Sequence, residues 1–403
     1  MTPLQRSTQL TAQWSLLLIF PGFFVYHSLV AQGYIPAVFG GYSTLVAAAA
    51  LPFLGAAYLR NALGNYWFVN PTDLGLLVFL AYYLLVVIFN DALNNSGGRV
   101  APHLGIMLQF AAIFLTFKLA DLDDPRLLRW IWFSFTALTT IIFANISDGA
   151  FVIAALDLEQ TDDKLADYQG YAFVYLMIFL ICASRARTAP ARAILYLTGI
   201  PALFLNGARS EFFCAALAVL IIEFLRSRRR LIVALAVMLI ASAMVLVASQ
   251  LADLFPDNRV ASLLAGYATD ESRLDRQRMM QRALAALSDH FFLGSYASYP
   301  PGEYAHNLLS AWVDLGLIGF LLYLGLLTAP LNLLWRGFRR QSRHPHYMLL
   351  LTTFVTAAIL YASAKYFTHQ LLPVLVGLYG RELAARRLRR VHGAVITSRQ
   401  ALV

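Results

Sequence analysis

A chain of 403 residues that is 59% hydrophobic and only 13% charged, with a mean hydropathy of +0.63, is too apolar for a water-soluble domain. It is read as an all-α, polytopic integral membrane protein. The formal net charge of +9 does not imply nucleic acid, because Lys and Arg of a membrane protein collect in its cytoplasmic loops. Cys182 and Cys214 lie in apolar stretches without CxxC spacing, which favours small core residues over a disulfide or a metal site.

A membrane-crossing helix needs about 17–25 mostly apolar residues. Such stretches occur near 14–31, 35–59, 73–90, 101–120, 128–146, 168–183, 191–206, 209–225, 231–250, 306–334, 347–364 and 368–384, about twelve in all. The first is apolar enough to be a span, and no small-residue cleavage site follows it, so no cleavable signal peptide is predicted. With the N-terminus inside, only Arg99, Lys164, Arg209, Arg259, Arg273, Arg276, Arg278, Arg282 and Lys365 fall in outer segments, leaving 22 of the 31 Lys and Arg inside. That bias predicts cytoplasmic termini at both ends and a single transmembrane domain over residues 1–403.

Two outer segments exceed simple turns. Residues 147–167 are acidic, with Asp148, Asp157, Glu159, Asp162, Asp163 and Asp167, and read as a solvated loop with no assigned role. Residues 251–305 form a long hydrophilic loop between spans nine and ten, and loops of that length are usually functional. Within it Met280, Leu284, Leu287 and Phe291 recur at helical spacing and predict an amphipathic helix on the outer face. Arg273 and Arg276 fall on that apolar stripe, two turns and one turn before Met280, whereas Arg278, Arg282, Asp275 and Asp289 face the other way. Inward-facing arginines need an anionic partner, and either a ligand or a protein carboxylate would serve.

The segment Asn206-Gly207-Ala208-Arg209-Ser210-Glu211 opens the eighth predicted span at its outer end. Free helix amides and the positive end of the helix dipole favour an anion there, and the donor fork of Arg209 suits phosphate. Snorkelling to the interface, or pairing with a carboxylate of another span, would satisfy the same side chain. Glu211 points away from Arg209 on the helical wheel and is read as paired elsewhere or as an orienting group. His306 opens the tenth span, Ser310 follows one turn deeper on the same face, and Asp314 lies at about 80 degrees and roughly 12 Å down the axis. A carboxylate inside a span is a functional candidate by default. Glu303, three residues before His306, is near enough in sequence to fix the tautomer of its ring, as a general base requires. Lys365 and His369 flank a short outer turn and are expected to line the same cavity. Asp121-Leu122-Asp123-Asp124 imitates a metal-binding carboxylate pair, but it precedes Pro125 at a helix boundary and reads as capping. His344 and His346 lack cysteine or carboxylate companions. With no glycine-rich phosphate loop, no HExxH and no internal repeat, no metal or other cofactor is predicted.

Taken in order, Gly207-Ala208-Arg209-Ser210, Glu271-Ser272-Arg273-Leu274, Ala283-Leu284 through Asp289-His290-Phe291-Phe292-Leu293-Gly294, and His306-Asn307 followed by Gly316-Leu317-Ile318-Gly319 resemble the bacterial O-antigen ligase and O-antigen (exopolysaccharide) polymerase superfamily. The likeness covers about residues 200–330. Asp314 stands where that superfamily commonly has glutamate, and Leu293-Gly294-Ser295-Tyr296 lacks a second glycine. The resemblance implies a metal-independent, inverting glycosyltransferase of the bacterial inner membrane. Its active site would face the periplasm and move a glycan from undecaprenyl pyrophosphate to an acceptor hydroxyl. Such a leaving group needs positive charge rather than an acid, which Arg209, Arg273 and Arg276 can supply. A sugar hydroxyl needs a base within reach, for which His306 is the candidate. The leading reading is a polysaccharide polymerase joining lipid-linked repeat units. The alternatives are a ligase delivering the glycan to lipid A core or to a protein hydroxyl, and a lipid-oligosaccharide transporter without chemistry. A transporter would carry polar groups through the midplane rather than gather them at the outer edge. The expected partners are the lipid-linked donor, a glycan or lipid A core acceptor, membrane lipids and a chain-length regulator, without nucleic acid.

Overall fold

The computed structural model describes residues 3–37, 41–64, 68–94, 100–147, 149–151, 168–229, 232, 235, 239, 246–255, 258–266, 270–296 and 305–400. Glu303, most of the ninth predicted span and most of the acidic 147–167 segment lie outside them, as does the side chain of Arg273. The described secondary structure is helical apart from one two-residue hairpin that pairs Ile146–Ser147 with Ala150–Phe151. Among the described residues, seven helices are long and apolar enough to cross a membrane: Ser7–Ala31, Tyr42–Gly64, Pro71–Asp91, Val100–Leu119, Pro125–Ala144, Leu309–Arg339 and Pro345–Ser363. The chain is an all-α membrane protein.

Burial runs as a bilayer requires. The Tyr168–Arg185 helix is buried at every position from 171 to 185, as an all-round apolar helix must be. It packs against Pro125–Ala144, Ala189–Asn206, Arg209–Arg226 and Pro345–Ser363. Large apolar side chains are instead exposed on the periphery, among them Phe53, Leu77, Phe133 and Leu197, an arrangement stable against lipid tails and costly against water. The Asp121–Asp124 run is spent locally: Asp124 Oδ1 accepts from the Arg126 amide at 2.8 Å ahead of the Pro125 helix, and Asp121 pairs with Arg381 at 2.7 Å.

The helix that follows His306 departs from the continuous 306–334 span expected of it. It runs Leu309–Thr328, breaks at Gly316 (φ 68°, ψ −176°), and is followed by a separate Leu331–Arg339 helix. The break frees backbone groups that lipid cannot satisfy. Phe292 O accepts from the Leu317 amide at 3.1 Å, Val313 O accepts from the Ser295 amide at 2.5 Å, and Leu315 O accepts from the Tyr82 hydroxyl at 2.8 Å. The 292–295 strip therefore lies directly on the break. Gly294 (φ +72°) and Gly316 sit back to back, and a Cβ on either would overlap the backbone of the other segment. The Trp312 indole donates to Phe291 O at 2.9 Å, so the Asp270–Asp289 helix is delivered onto the His306 end of the bundle.

Candidate functional site

The Asp270–Asp289 helix is amphipathic, as its periodicity predicts, but the buried arc is Ala283 and Leu287, packed on Ala305 and Val313. Leu284 is exposed, contrary to expectation: alanine permits the close approach that leucine would prevent. Half-buried Met280 and then Arg276 extend that arc and line a cavity of about 200 Å³ together with Ala305, His306, Asn307, Ala362 and Ser363. Arg276 is exposed rather than facing inward as the wheel predicts, because the arc ends at an open cavity instead of a packed helix. The predicted helical register thus brings Arg276 to His306, although their positions lie 30 residues apart.

His306 itself precedes its helix in a tight turn. Asn307 Oδ1 accepts from the Leu309 amide at 3.0 Å, closing an Asx-turn just ahead of the helix. The Ser310 hydroxyl donates to Asn307 O at 2.7 Å and accepts from the Phe367 amide at 3.1 Å. Ser310 therefore fixes the His306 turn to the 364–370 turn. Burial, and then the charges of Arg276 and Lys365, hold the His306 imidazole below its ordinary pKa. A ring so placed is neutral at neutral pH and able to accept a proton. Asp314 is fully buried in the half-helix above the break, within electrostatic reach of the Tyr83 hydroxyl. The Tyr83 hydroxyl in turn meets His103 Nδ1.

Arg209 starts the Arg209–Arg226 helix, two residues after Gly207 in the left-handed conformation (φ 79°). The charges of Arg276 and Arg259 both act on it. Among the described residues, none of these three arginines forms an ion pair with a carboxylate, although Arg259 lies over the Tyr168 ring at 4.5 Å. Guanidinium groups repel one another, so their gathering without a carboxylate partner among the described residues makes a site with affinity for an anion. Beside them the Asn206 amide is buried and, among the described residues, meets neither donor nor acceptor. A buried amide in that state costs about 1–3 kcal/mol until a polar group reaches it.

No protein-family model and no curated protein matches the chain.

Glu211 is paired away from Arg209, as its wheel position predicts: Lys365 Nζ lies 2.8 Å from Glu211 Oε1, and both side chains are buried. The Ser210 hydroxyl donates to Glu211 Oε2 at 2.8 Å, and Lys365 also donates to Gln169 Oε1 at 2.6 Å. Lys365 and His369 do share a cavity, of about 390 Å³ and lined also by Gln109, Gln169 and Gln370, but it has no lining residue in common with the His306 cavity.

Two further contributors were not singled out from sequence. Arg259 opens a six-residue helix, Arg259–Leu264, too short to reveal a period. The signal that could have found it is Asn258, a residue that favours the N-cap. Asn258 is fully buried and satisfied at both ends: its Oδ1 accepts from the Val260 and Ala261 amides at 2.9 and 3.0 Å. Its Nδ2 donates to Gly149 O and Phe204 O at 3.0 and 2.9 Å. This one side chain pins the outer loop beside Arg209.

Proposed function

We propose that the chain is a polysaccharide polymerase that transfers a glycan from undecaprenyl pyrophosphate to the hydroxyl of a lipid-linked repeat unit. The observation that carries this reading is that Arg276 lines one cavity with His306, while Arg276 and Arg259 also act on Arg209, and none of the three arginines has a carboxylate partner among the described residues. His306 accepts the proton of the acceptor hydroxyl as its oxygen attacks the anomeric carbon from the face opposite the pyrophosphate. The bond from that carbon to the phosphate oxygen breaks, its electron pair leaves on undecaprenyl pyrophosphate, and the configuration inverts. The arginines hold the leaving group as its charge grows, with Arg273 proposed as a fourth member of the clamp. Lys365 and Glu211 orient the floor of the site, and Asp314 and Ser310 its inner wall. The finer topology belongs to the same proposal: about twelve spans in the bacterial inner membrane, both termini cytoplasmic, and the His306 end facing the periplasm.

The test is single-turnover transfer by the reconstituted protein from a lipid-linked repeat unit. His306→Ala is expected to slow chain extension by about 10²-fold or more, the share a general base contributes. Arg209→Ala and Arg276→Ala should each cost about 10²-fold, as loss of a transition-state donor does. An active His306→Ala beside an inactive Arg209→Ala would remove the base role and keep the clamp. Wild-type rates for both would remove the site. Transfer to lipid A core, with none to a repeat unit, would replace the polymerase by a ligase using the same donor chemistry.

A further inference from the structure

At the bundle end remote from His306, two cavities join. The first, of about 490 Å³, is an apolar groove between the Pro71–Asn94, Leu309–Thr328 and Leu371–Gln400 helices, floored by Gly75, Leu322, Gly325, Leu326 and Ala329. The second, of about 280 Å³, is lined by Arg336, Arg386 and Asn332. Tyr379, Leu383 and Arg387 belong to both, so the two form one channel with an apolar body and a basic mouth. Leu326 lies in the last turn of the Leu309–Thr328 helix, at the end opposite the one that His306 precedes, so this channel is remote from the candidate catalytic end.

The Leu331–Arg339 helix fixes the depth of the mouth in the membrane. It buries Leu333, Leu334 and Gly337 while exposing Trp335 and Phe338, whose rings stack at 6.5 Å, with Arg336, Arg339 and Arg340 beside them. Exposed tryptophan and arginine on a short amphipathic helix mark the headgroup level of a bilayer. The arginines of the mouth are only partly compensated. Arg386 pairs with Glu382 at 2.7 Å and Arg387 donates to Val69 O at 2.7 Å. Among the described residues, no carboxylate pairs with Arg336 or Arg387.

We propose that this channel binds an anionic glycerophospholipid of the surrounding bilayer, with one acyl chain in the Gly75–Gly325 groove and the phosphodiester at Arg336 and Arg387. Charge complementarity selects the anionic class: the groove accepts the tail of any phospholipid, but a headgroup with net negative charge alone balances the two arginines. The proposal is independent of the reaction at His306.

The full-length protein, purified in detergent and titrated with phosphatidylglycerol or phosphatidylcholine, tests it by native mass spectrometry. The wild-type protein is expected to retain phosphatidylglycerol in preference. Arg336→Gln, at an exposed position, should weaken phosphatidylglycerol by about fivefold, the share of one basic residue at an anionic headgroup, and leave phosphatidylcholine unchanged. Gly325→Trp should reduce occupancy by both lipids, because a Cβ at Gly325 meets open space and the ring would fill the groove without disturbing the helix. Equal retention of the two lipids by the wild-type protein would overturn the proposal. So would unchanged lipid binding in both variants, or a wild-type dimer that Gly325→Trp converts to monomer with no change in lipid, which would make the groove a contact between copies.

Discussion

Replacing Lys365 by Met tests whether the floor of the site is a single electrostatic unit. Lys365 Nζ stands 2.8 Å from Glu211 Oε1, with side-chain exposures of 6% and 0%. At that separation and an effective dielectric of about 20 the attraction is about 6 kcal/mol, much of it offset by the cost of taking both ions out of water. Methionine keeps the length of the side chain but leaves the Glu211 carboxylate buried with only the Ser210 hydroxyl at 2.8 Å, and strips Gln169 Oε1 of its 2.6 Å donor. Leaving one buried ion without its partner costs about 3–5 kcal/mol. Adding Glu211→Gln removes the orphaned charge, and the double variant should recover about 2–3 kcal/mol of that loss, the coupling expected of two groups in contact. Reversible unfolding in mixed detergent micelles, run on the wild type, both single variants and the double, measures it. A Lys365→Met protein as stable as wild type, or a double variant whose loss equals the sum of the singles, would refute the reasoning.

The remaining predictions concern the helix break and the base. Gly316→Ala forces a side chain into a conformation that costs about 1–3 kcal/mol for any residue with a Cβ, and overlap with the Phe292 carbonyl adds to it. The thermal midpoint in detergent should drop well below that of Gly325→Ala, a control in the same helix whose Cβ meets nothing; equal midpoints would contradict the packing of Gly294 on Gly316. For the base, a histidine whose pKa is lowered must lose its proton to act, so transfer should be flat above neutrality and fall as pH drops through a midpoint below the ordinary imidazole range. Arg276→Gln removes one of the charges that depress it, so the acid limb of the residual activity should move to higher pH; a limb that stays in place would exclude the contact between the two.

Much of the outline was legible because it follows from one-dimensional pattern. Apolar runs of bilayer length, the cap signal Asp124-Pro125 and the helical period around Met280 each depend on neighbours a few residues away. The orientation of Glu211 away from Arg209 was legible on the same ground, since it needed only the 100 degrees per residue of a helix. Its partner was not: Lys365 lies in a different turn, and nothing in either neighbourhood names the other. The break at Gly316 was hidden for a related reason. Glycine is common in membrane helices, so the Leu309–Thr328 run reads as unbroken until the 292–295 strip is seen to supply the hydrogen bonds that the break requires. The exchange of Leu284 for Ala283 on the buried arc shows the limit of a wheel: adjacent positions straddle the boundary, and the separation of the packed helices decides between them.

The arginines and the histidine carry a consequence that neither has alone. The Arg276 guanidinium and the Lys365 ammonium near His306 raise the cost of a further positive charge, so the empty site holds a weakened base. On the proposed reading, the pyrophosphate of the donor carries the opposite charge and would screen Arg209, Arg259 and Arg276 together. The proton affinity of His306 would then rise when the donor is in place, and fall again when undecaprenyl pyrophosphate departs. The base would be strongest while a reacting carbon stands before it and weakest in the empty enzyme. That ordering disfavours activation of a hydroxyl without a donor to receive it, and it follows from the cations Arg276 and Lys365 acting on the ring.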